Sequence, residues 1–79
     1  MRASYILLHN TDGEHRCLIL ALQYSFAIYC ADLNIIAEVV KTDSGIAFHP
    51  KTPHAETYKY QILAEMAKLE MISQGNVVS

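Results

Sequence analysis

Apolar residues in this chain come in blocks. Ser4 to Leu8 is a continuous apolar run that stops at His9 and Asn10, the mark of a buried strand of the parallel kind. In Thr11-Asp12-Gly13-Glu14, the Thr11 hydroxyl and the Glu14 carboxylate have the spacing of a capping box. A helix is expected to open there and run to about Asp32, with Asn34 as its stop. Its residues are apolar nearly all round, so one face should meet the sheet and another a second chain. In the competing reading, Arg16 to Leu22 is the second arm of a hairpin turning at Asp12-Gly13.

Ile35 to Val40 is rich in branched residues and reads as a strand. Asp43-Ser44-Gly45 supplies turn chemistry, after which Ile46 to His49 either pairs back as a short antiparallel strand or stays a loop. Thr52 and Pro53 fit the N-cap and first position of a second helix. There Tyr58, Ile62, Met66, Leu69 and Ile72 recur at three- and four-residue intervals, and Gly75 closes the helix. Asn76 to Ser79 then reads as the start of a strand. The expected order is β-α-β-(β)-α-β, an α/β domain with a mainly parallel sheet spanning residues 1–79. The alternative is an α+β ferredoxin-like arrangement, favoured if Ile46 to His49 pairs with Ile35 to Val40.

At 79 residues only one domain fits, and a chain of this size buries only roughly 60% of the surface its unfolded form exposes. With 52% hydrophobic and 18% charged residues, it has more apolar surface than it can easily hide. Net charge is −2 and the six basic residues are scattered, which argues against autonomous nucleic-acid binding. Cys17 and Cys30 sit in apolar surroundings and read as small hydrophobes, which suits a reducing cytoplasm. The opening residues are too brief for an export signal. Cys17 to Ala31 falls short of the roughly 20 residues a bilayer requires, so no membrane span is expected.

Two blocks resemble a known family. Met1 to Asp12 is similar, ungapped, to the M-R-A-x-I-Y-x-R-V-S-T-D opening of serine recombinases, the resolvase and invertase family. Tyr29-Cys30-Ala31-Asp32-Leu33-Asn34, then Ile35 to Val40, then Asp43-Ser44-Gly45-Ile46-Ala47-Phe48 look like its Y-C-A-x-x-G, strand and D-x-G-I-S-G elements. The resemblance implies a small resolvase-like domain covering only the front part of the family's catalytic domain.

It also implies that the chemistry is lost. Asn10 stands where the family has its nucleophilic serine, Leu8 where it has a nearby arginine, and Ala47 where it has the serine of G-I-S. Asp43 alone matches. An amide cannot replace an alkoxide nucleophile, and leucine cannot neutralise a phosphate. The arginine expected before the second helix is missing unless Lys51 or Lys59 replaces it, and the later arginines, dimer helix and DNA-binding segment lie beyond the chain. The expectation is a protein without catalysis or cofactor that binds protein as a homodimer. Leu18, Leu22, Tyr24, Phe26 and Tyr29 of the first helix, with open sheet edges, would form the interface, and a mobile-element recombinase is a candidate partner.

Other constellations favour ordinary roles. Thr11 reads as a cap before it reads as a shifted nucleophile. Asp43 reads as a turn residue, and His9, His15, His49 and His54 lack the spacing of a zinc site. Two alternatives of another kind stay open. One is a ferredoxin-like phage or plasmid protein that inhibits a host protein. The other is an enzyme using Asp43 with His49 or Thr11.

Overall fold

The computed structural model describes residues 2–73 and 77–78. Five strands follow one another as an antiparallel meander: β1 Arg2–Asn10, β2 Gly13–Ala21, β3 Ser25–Cys30, β4 Ile35–Thr42 and β5 Gly45–Pro50. Two short helices follow, α1 Pro53–Thr57 and α2 Lys59–Lys68, and a two-residue β6, Val77–Val78, runs parallel beside β5.

The expected mainly parallel, resolvase-like α/β sheet is therefore replaced by an antiparallel sheet with both helices at its C-terminal side. The ferredoxin-like order is absent too. Ile46 to His49 does pair with β4, but no helix separates the first two strands. The helix expected over 11–32 is instead a hairpin and a third strand. The hairpin of the competing reading is present, but it turns at Thr11-Asp12, one residue before the expected Asp12-Gly13, and Gly13 opens β2 opposite Asn10. Gly13 adopts φ +119, where side-chain-bearing residues are strained, and Asn10 Oδ1 accepts the Asp12 N–H at 2.8 Å. Glu14 caps no helix and lies 3.7 Å from the His9 ring across the hairpin.

Alternation along the strands sorts the side chains between two faces. Ile6, Leu8, Cys17, Ile19, Phe26, Ile28, Cys30, Ile35, Ala37 and Val39 point to one side and are buried. Ala55, Ile62, Leu63 and Met66 from the helices close over them to form a single core. Phe26, expected at an interface, is 6% exposed and belongs to this core.

Thr52 is the N-cap residue and Pro53 follows it, as expected, but the Thr52 hydroxyl makes no cap bond. It accepts the Ile36 N–H at 3.1 Å instead, one step beyond the Lys51 N–H bond to the Ile36 carbonyl, so it prolongs the β4–β5 ladder. The helix breaks at Tyr58 and ends at Lys68, before the expected Gly75, which lies outside the described residues. Glu70 takes φ 58, and its N–H and that of Met71 bond the carbonyls of Ala67 and Met66, a Schellman closure without glycine. No helix among the described residues is long and apolar enough to cross a membrane.

Candidate functional site

The positions that the motif alignment singled out do not meet. Leu8 is fully buried in the core, and Ala47 lies on the opposite face of β5. Asn10 ends β1 at one end of the sheet, whereas Asp43 sits in the β4–β5 turn at the other.

Asn10 is nevertheless a hub. Its Oδ1 takes the Asp12 N–H and lies 3.0 Å from His15 Nε2, and its Nδ2 donates to the Tyr58 hydroxyl oxygen at 3.1 Å. The other ring nitrogen of His15 is 3.6 Å from the Asp32 carboxylate. This chain ties the β1–β2 turn to the β3–β4 turn and to the start of α2. Its contacts hold one turn to another, and among the described residues no buried side-chain polar atom lacks a partner.

The remaining histidines are dispersed. His9 is on β1 near Glu14, His49 pairs with Glu38 on β4, and His54 Nδ1 lies 2.8 Å from the Leu33 carbonyl. No group of three or more metal-ligating residues gathers among those described. Cys17 and Cys30 are free and buried. Burial, then the hydrogen bond that the Cys17 S–H donates to Cys30, pushes the Cys17 thiol far above the usual range and keeps it protonated.

The unusual surface is the other face of the sheet. Strand registers place Tyr5, Leu18, Tyr29 and Ile36 side by side across four strands. Ala3, Leu20 and Ala27 flank this row on one side, Leu7 and Arg16 on the other. Both helices lie on the opposite side, so Tyr5 is 56% exposed, Tyr29 53% and Ile36 43%. Such a contiguous apolar stripe is uncommon on a protein that acts alone.

Of the expected interface residues, Leu18 and Tyr29 lie in this stripe. Leu22 and Tyr24 are exposed in the β2–β3 turn, apart from it. Sequence reasoning missed Tyr5, Leu7 and Ile36. Their signal was present in the fact that apolar residues fill both alternating registers of β1 and of β4. Comparison with models of known families, with curated proteins and with solved structures found no match.

Proposed function

We propose that this chain is a protein-association module that works as a homodimer, with the uncovered faces of two sheets packed together. The exposed row Tyr5, Leu18, Tyr29 and Ile36 carries this reading. Four strands about 4.8 Å apart, with side-chain rows about 6.8 Å apart, define a plane roughly 19 by 20 Å. Two such planes cover roughly 800 Å², the size of a weak, reversible association. Two tyrosines in the row favour it, since aromatic residues dominate the energetics of such contacts.

A second copy is the occupant because the face carries charges of both signs, Arg16 against Glu38, with Glu14 beside His9, and so complements itself. The role is association, not catalysis. The free buried thiols suit a reducing compartment such as the cytoplasm.

Gel filtration with light scattering, followed down to low micromolar concentration, tests the reading. A dimer is expected for the native chain and a folded monomer for Tyr29→Lys with Ile36→Lys. A native chain that stays monomeric at every concentration overturns it.

A further inference from the structure

On the open face Arg16 and Glu38 are charges of opposite sign that find no ion-pair partner among the described residues of one copy, although His9 and Glu14 lie together on the same side of the sheet. Arg16 is held over the Tyr5 ring, its guanidinium carbon 5.2 Å from the centroid, which orients it without neutralising it. Glu38 has His49 as its cross-strand neighbour.

Their placement follows from the registers. Leu18 faces Tyr29, so Arg16 on β2 lies one side-chain row below Tyr29 and one strand to its side. Tyr29 faces Ile36, so Glu38 on β4 lies one row above and one strand to the other side. Arg16, Tyr29 and Glu38 thus fall on one diagonal with Tyr29 at its midpoint. Along it the two charges are roughly 17 Å apart, too far to meet within one copy.

Resting on the homodimer reading above, we infer that the dimer is centred on Tyr29, with Arg16 of each copy paired with Glu38 of the other. A two-fold axis lying in the interface, through Tyr29 and across that diagonal, exchanges the two charges. An isologous contact needs just such an exchange. The same axis sets the strands of the two sheets at a steep angle, close to the orthogonal class of sheet packing and away from the aligned one. It stacks the two Tyr29 rings at the centre and puts the ion pairs at the rim, where they select register more than they add affinity.

Single charge reversals, alone and mixed, test this. In Arg16→Glu every Arg16–Glu38 contact becomes acid on acid, and in Glu38→Arg it becomes base on base, so each variant should dimerise at least tenfold more weakly than the native chain. In an equimolar mixture both contacts of the mixed pair are again Glu with Arg, and a heterodimer of near-native strength should form. Both positions are on the exposed sheet face, and unchanged circular dichroism confirms folding. A native dimer with single variants that associate equally well overturns the register and leaves the homodimer standing. Weakened variants whose mixture stays monomeric also overturn it. A native monomer removes both.

Discussion

Gln61 clamps the outer edge of β1 at His9. Its Oε1 accepts the His9 N–H, and its Nε2 donates to the His9 carbonyl at 3.2 Å. Among the described residues β1 ends the sheet and pairs with β2 alone, so alternate residues direct their backbone groups outward. At His9 the side-chain amide of α2 takes the place of a neighbouring strand, shortening the edge open to unwanted pairing.

Gln61→Leu should therefore destabilise the fold by about 1 kcal/mol, the net worth of exposed hydrogen bonds. Amide exchange at His9 should accelerate roughly tenfold while core amides such as Ile19 change less. Equal protection at His9 in both proteins would show that the clamp holds nothing.

Phe26 and Tyr29 lie three residues apart on β3 and face opposite ways, so their truncations should separate folding from association. Phe26→Ala opens the core and should cost about 3–5 kcal/mol, enough to unfold a domain of this size. Tyr29→Ala should change monomer stability by about 1 kcal/mol or less and act on the dimer instead. Urea unfolding at low protein concentration, alongside sedimentation at high concentration, reads the two effects apart. Equal losses of stability would contradict the placement of these residues.

The same strand explains how much of the fold was legible. β4, the turn at Gly45 and the start of α1 at Pro53 carry explicit local chemistry, a branched run or a turn residue, and they appear where the sequence puts them. The 13–30 stretch does not. In a sheet with one wet face, Leu18, Leu20 and Tyr29 would be polar and the period of two would be plain. Here both faces are apolar, because one meets the helices and the other is left uncovered. The period of two is therefore lost from the sequence, and the stretch shows the all-round apolar pattern of a buried helix although it folds as β2 and β3. The β2–β3 turn, Leu22-Gln23-Tyr24, also lacks glycine and proline. The excess of apolar surface was legible; its location on a sheet face was not.

Glu70 is the residue most easily improved. It occupies the left-handed position of the closure after α2, which costs a side-chain-bearing residue roughly 1–2 kcal/mol, and it forms no ion pair among the described residues. Glu70→Gly should relieve that strain at some cost in unfolded-chain entropy, a net gain of about 0.5–1 kcal/mol. For a chain of this length that raises Tm by about 2–8 °C. Thermal unfolding followed by circular dichroism reads it, and a lowered Tm would mean that the carboxylate does something beyond the turn.

Cys17 gives the fold an alkaline limit. Its thiol ionises far more reluctantly in the folded chain than in the unfolded one, chiefly through burial against Ile19 and the neighbouring core, with Cys30 as a hydrogen-bond partner. An exposed thiol ionises at roughly pH 8.5–9. Below that, both states are neutral and the group's contribution is fully present. Above it the unfolded chain gives up the proton while the folded chain keeps it. Stability should then fall by up to about 1.4 kcal/mol per pH unit from this residue. Cys17→Ala leaves a smaller core and lower stability at neutral pH, yet its stability should decline less steeply between about pH 9 and 11. The same protonation predicts that Cys17 in the folded chain reacts with iodoacetamide only through unfolding, since the thiolate is the nucleophile. Its labelling rate should track the unfolded fraction across a urea series. Rapid labelling of Cys17 in native buffer would show that the thiol is neither buried nor held neutral.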